Sequence, residues 1–187
     1  MSKWPEHLKL TAAGKNALER VSEEAPVLAQ WPDDTKIHAA DDAEAMAEIL
    51  IAEFHKEIRG VSIAYLFKEK MGARGWIDTG KADLANPVLK YLSGYDFIIK
   101  LNWTVWKAMD LVQRAALLDH ELEHCGVSDS GKPEIQKHDV QEFNAIVGRW
   151  GPYHDALAQF LRLANPQLGL ELHQGGKGKA DKVTASK

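Results

Sequence analysis

The run Asp119-His120-Glu121-Leu122-Glu123-His124 spells H-E-x-x-H. Two histidines four residues apart share one face of a helix, one turn above each other. Their ring nitrogens can converge on one Zn²⁺ at about 2.0–2.1 Å. Glu121 follows the first histidine, where its carboxylate can reach a water on that ion and take its proton. The chemistry open to such a set is hydrolysis of a peptide bond through a zinc-activated water, with Glu121 as general base.

A short motif needs the right setting. Upstream, Leu111 to Leu118 carries apolar residues at helical spacing among good helix formers. Asp110 is the expected N-cap, with Gln113 three residues on as its capping-box partner. Gly126 is expected to stop the helix. Leu117, Leu118 and Leu122 are then free to enter a core. A catalytic zinc wants a third protein ligand and one open position. His138 and Glu142, four apart in a second helical pattern with Val140, Phe143, Ile146, Val147 and Trp150 as its stripe, both qualify. His138 is preferred, leaving Glu142 or Asp139 to orient a ligating ring. The intervening Val127 to Pro133 is turn-rich and expected to loop back.

These residues resemble a known family. His120 to His124, then His138 and Glu142-Phe143, is similar to the SprT-like zinc metallopeptidases. The match is closer to the phage metallopeptidases, whose segments correspond to Phe67-Lys68-Glu69-Lys70, Tyr91-Leu92-Ser93-Gly94-Tyr95-Asp96-Phe97, Ala116 to Cys125, and His138 to Phe143. The resemblance spans Asp41 to Gly151. It implies a minimal zincin and zinc dependence, with a protein or peptide as substrate, and the order of elements along the chain fits an α+β domain with helices on one face of a small, mainly antiparallel sheet. In zincins an edge strand above the active-site helix pairs with the substrate; Phe97 to Leu101 is the candidate. One departure from the SprT pattern is that Glu142 lies four residues after His138 instead of three, which keeps Glu142 open as the third ligand. No Cys₄ zinc ribbon can be built, since Cys125 is the only cysteine.

The elements that must position these groups follow from pattern. Residues 1–40 read as an N-terminal extension with a short helix over Thr11 to Arg20; 41–165 as the metallopeptidase domain; 166–187 as a Gly/Lys-rich disordered tail. Asp41 to Arg59 reads as a helix with an acidic first turn, ended by Gly60. Val61 to Phe67 and Tyr95 to Leu101 read as strands, Trp76 to Thr79 as a weaker one, and Trp103 to Met109 as a short helix.

Composition sets outer bounds. At 187 residues, 45% hydrophobic and 27% charged, the chain has enough apolar residues for one core. A net charge of −4 gives no general argument for nucleic-acid binding, which is left open. The lone cysteine excludes an internal disulfide and suits a reducing compartment. Cys125 should point about 100° round the helix from His124 and serve packing. There is no run of about 20 apolar residues and no signal-peptide core, so the expected location is cytoplasmic, the host cytoplasm for a phage-encoded protein, without membrane contact. Trp103, Trp106 and Trp150 are expected in or beside the core, Tyr91 and Tyr95 as structural, and His55, His173 and Glu123 at the surface. Tyr153 and His154 are oxyanion-donor candidates that spacing cannot place. The reading from another class is a zinc-stabilised binding protein without chemistry, whose ion would be closed off by a fourth protein ligand.

Overall fold

The computed structural model describes residues 4–5, 8–24, 29–32, 36–72, 77–138, 144–151 and 153. The chain divides into two units, Met1–Gly151 and Pro152–Lys187. All elements below belong to the first. Asp139, Glu142, His154, His173 and the C-terminal tail lie outside the described residues.

Helix α1 (Ala12–Glu24) buries Gly14 and Leu18 and packs on α2 (Asp41–Glu53) and on α5 (Leu111–Glu123). Gly14 permits the close approach, since a Cβ there would lie 2.8 Å from Glu53 Oε1. Asp41, Asp42 and Glu44 give α2 the acidic first turn that favours its N-terminus. Asp42 is buried and accepts from Trp106 Nε1 at 2.8 Å; burial pushes its carboxyl above the usual range, against the lowering effect of that bond. The helix stops earlier than the expected Arg59. The chain turns in a 3₁₀ segment, Lys56–Ile58, that carries His55 and Ile58 inward, both 1% exposed. Gly60, at φ 103°, completes the reversal.

Four strands form the main sheet in the order β1-β2-β4-β3: β1 (His38–Ala39), β2 (Ile63–Lys68), β4 (Phe97–Asn102) and β3 (Gly80–Leu84). Both outer pairings are antiparallel and the central β2–β4 pairing is parallel, so the sheet is mixed, with two of its three pairings antiparallel. Ile63, Tyr65 and Phe67 of β2 and Phe97, Ile99 and Leu101 of β4 alternate onto one buried face, against which α2 and α5 lie. Each such side chain contributes about 1.5–3 kcal/mol by leaving water. β4 is therefore an interior strand with both edges paired, and the expectation that Phe97 to Leu101 offers an edge to substrate is corrected. The terminal strand on that side is β3, which lies beside α5.

Of the expected strand at Trp76 to Thr79, Trp76 lies outside the described residues, Ile77 to Thr79 are not strand, and pairing begins at Gly80. Between β3 and β4, helix α3 (Pro87–Ser93) is capped by the Asn86 side chain and stopped by Gly94 at φ 78°. α4 is the single turn Trp103–Trp106, shorter than expected, with Trp103 6% and Trp106 0% exposed. Trp150, on α6 (Asn144–Trp150), is also buried. No helix among the described residues is long and apolar enough to cross a membrane.

Candidate metal centre

α5 starts where its sequence says it should. The Asp110 side chain accepts from Gln113 N at 2.9 Å, and Gln113 Oε1 accepts from Asp110 N at 3.0 Å. Ala115, Ala116, Leu117, Leu118 and Leu122 are buried, which fixes the rotation of the helix and turns His120 and His124 toward a half-exposed face.

The return of the chain is set by a hairpin that the sequence reading took for a loop. β5 (Cys125–Val127) pairs antiparallel with β6 (Pro133–Ile135) around a turn in which Gly131 sits at φ 75° and Ser128 Oγ holds Lys132. Just beyond β6, Gln136 bonds the helix end twice: Gln136 N donates to His124 O at 2.9 Å, and His124 Nδ1 donates to Gln136 O at 2.8 Å. Gly126 is not the helix stop expected of it. It lies within β5, and a Cβ there would meet Gln136 Nε2 at 2.3 Å, so its role is to let residue 136 come close.

Two residues after Gln136 comes His138. His120, His124 and His138 each present a ring nitrogen within 4.8 Å of the other two. His138 Nε2 lies 3.2 Å from His120 Nε2. Two nitrogens bound at about 2.0–2.1 Å to one tetrahedral ion would stand about 3.3 Å apart. The donor set therefore fits a divalent ion, and the bond from His124 Nδ1 to the Gln136 carbonyl leaves Nε2 as the nitrogen without a proton. His138 is exposed, which leaves that side accessible to solvent and substrate.

Glu121 points away from the solvent side and is 3% exposed. It lies beneath the first residue of β3: a Cβ at Gly80 would come within 2.5 Å of Glu121 Oε1. Gly80 thus sets the height of the strand above the carboxylate, and any side chain there would displace it. Cys125 is buried as expected; burial and then the negative charge of Glu121 push its thiol up to about 12, so it stays protonated and packs.

His55 is buried and not at the surface, and Glu123 is half-buried. Asp119, wholly buried, accepts from His55 Nε2 at 2.5 Å, Arg149 Nε at 2.7 Å and Trp150 Nε1 at 2.7 Å. Glu123 stands 3.3 Å from His55 Nδ1 and 3.5 Å from Arg149 Nη2. The network ties α5 to α6 and to the turn after α2, directly behind the first metal-facing histidine. Sequence reasoning missed Asp119, Arg149, Gln136 and Gly80. Only Asp119, an acidic residue in a buried helix face, carried a local signal. Tyr91 is 90% and Tyr95 41% exposed, so neither is a core residue, and Tyr153 is half-buried.

A mixed α+β domain that gathers three imidazoles beside a buried carboxylate has a donor set that could hold a metal ion. The chain belongs to the phage metallopeptidase family: the profile described as "Putative phage metallopeptidase" matches residues 35–165. Membership implies a metal and a protein or peptide substrate. Comparison with curated proteins and with solved structures gave no match.

Proposed function

We propose that this protein is a zinc-dependent peptidase of minimal-zincin type, in which His120, His124 and His138 hold the ion and Glu121 is the general base. The observation that carries the reading is the meeting of the three ring nitrogens within 4.8 Å beside a buried glutamate. A zinc ion held by these three histidines would supply Lewis acidity toward the attacking water and the scissile carbonyl. Glu121 then accepts the proton of the attacking water and returns it to the leaving amine. Gly80 keeps room for that carboxylate, and the Gln136 carbonyl holds the His124 ring in place.

The terminal strand β3 is the best candidate for aligning the substrate. It runs directly over Glu121 at Gly80, and among the described residues its far edge pairs with no strand of the sheet. An extended peptide added there would be held by backbone hydrogen bonds, with little demand on its sequence. The kinship with SprT-like enzymes is part of this proposal. So is the choice of His138 over Glu142, supported by its position beside His120.

The test is hydrolysis of an unfolded protein such as casein. The protein should cleave it, lose that activity to a chelator, and regain it with one equivalent of zinc. Activity that survives complete metal removal would refute the reading.

A further inference from the structure

From Leu84 to Tyr95 the chain leaves β3, forms α3 and turns toward β4, and the metal centre draws no residue from it. Among the described residues eight large apolar side chains are exposed, and five of them lie in this one segment: Leu84, Val88, Tyr91, Leu92 and Tyr95. Scattered exposed apolar residues are ordinary, but a concentration of them marks a binding surface. α3 has no buried residue. Val88, Tyr91 and Leu92 stand three and four apart and share one of its faces.

Polar bonds, not these side chains, hold α3 in place. Asn86 caps it, Ser93 Oγ donates to Leu89 O at 2.8 Å, and Lys90 pairs with Asp96. Asp96 is anchored in turn, since its N donates to Ser62 O at 2.7 Å and its Oδ2 accepts from Ser62 N at 3.2 Å. Lys90 and Asp96 are the charged residues between Leu84 and Phe97, and they neutralise each other, so the segment itself offers an ionic partner no net charge. What it offers is apolar surface, already ordered.

The position of that surface says what it receives. Gly80, Ala82 and Leu84 lie on one side of β3, opposite Leu101, Ile99 and Phe97 of β4. That is the side on which Gly80 meets Glu121. Leu84 is four residues on from Gly80, a span of about 13 Å at about 3.3 Å per residue. A peptide laid along β3 with its scissile bond over Glu121 therefore reaches Leu84 and α3 about four residues away from that bond. A second copy of the chain fits less well, because a stable interface takes about 20–30 residues a side, far more than five side chains.

We infer that Leu84, Val88, Tyr91, Leu92 and Tyr95 form the surface that receives an apolar side chain of an extended substrate, about four residues from the bond that is cut. This role presupposes the peptidase reading and β3 as the aligning strand, and it gives the site a substrate class: unfolded polypeptides, whose apolar side chains are open to capture.

Two readouts test it. In a casein digest, mass spectrometry of the fragments should find apolar residues enriched about four positions to one side of the cuts. The double variant Y91S/L92S should lose that enrichment and raise KM for casein about tenfold with kcat retained, as loss of one apolar binding contact does. Both residues are exposed, so its thermal unfolding midpoint should match that of the wild type; Leu92→Ser alone serves should the double variant fail to fold. Separately, Glu121→Gln should bind fluorescent casein, and adding Y91S/L92S to it should weaken that binding by a similar factor. No cleavage by the wild type together with this loss of binding would remove the peptidase reading and leave the surface as a polypeptide-binding site. Cleavage pattern, KM and binding all unchanged by Y91S/L92S would overturn the inference and leave the peptidase standing. So would a wild-type dimer in sedimentation that Y91S/L92S converts to monomer with casein binding intact, which would give the surface to a second copy. Absence of casein binding by Glu121→Gln overturns it outright.

Discussion

Replacing Glu121 by Gln should slow peptide hydrolysis by about 10²–10⁴-fold while leaving fold and metal content intact. The amide has nearly the shape of the carboxylate, so the fit beneath Gly80 is kept. What it lacks is the lone-pair basicity that takes a proton from water. The variant should therefore bind substrate and hold it, which makes it a trap for identifying natural partners. Rates from a casein or peptide assay decide the matter, with zinc content measured in parallel. A Gln variant as fast as wild type would remove Glu121 from the mechanism. A slow variant that has also lost its metal would assign the carboxylate to the ion and not to the proton.

Asp119→Ala should be the most destabilising single change near the site. The carboxylate is fully buried and satisfies donors from His55, Arg149 and Trp150. Its removal leaves an arginine, a histidine and an indole N–H without their shared acceptor, a loss of about 3–5 kcal/mol by analogy with broken buried ion pairs. For a chain of this size that lowers the unfolding midpoint by roughly 6–20 °C. Asp119→Asn keeps one acceptor oxygen and should fall between. Urea unfolding of the three proteins gives the order directly. Equal stability for wild type and the Ala variant would mean that the network carries no net energy.

How far the sequence disclosed these features depended on whether the cause was local. The capping box at Asp110 and Gln113 is a four-residue device, and it stands where pattern placed it. The buried alternation of β2 and β4 follows from β-branched and aromatic residues in period two. β3 was missed because Gly80-Lys81-Ala82-Asp83-Leu84 has little strand propensity. Its pairing with β4 and the Lys100–Asp83 ion pair hold it, and those are long-range. The β5–β6 hairpin was hidden for the same reason, being three residues a side. Gly126 was misassigned because a glycine after a helix usually stops it, whereas here the demand comes from Gln136, ten residues on. His55 looked like a surface residue because its partner, Asp119, is 64 positions away. The two histidines of the motif helix were legible from spacing alone. The arrival of His138 beside them required the hairpin, which no local pattern specified.

The central claim is that His120, His124 and His138 hold one ion together. Metal analysis by mass spectrometry, on protein dialysed against excess zinc and then metal-free buffer, tests it most directly. The account predicts one equivalent in wild type and in Glu121→Gln, and loss of tight binding in a folded His138→Ala variant. A full equivalent retained by His138→Ala at wild-type affinity, or none held by the wild type, would contradict it.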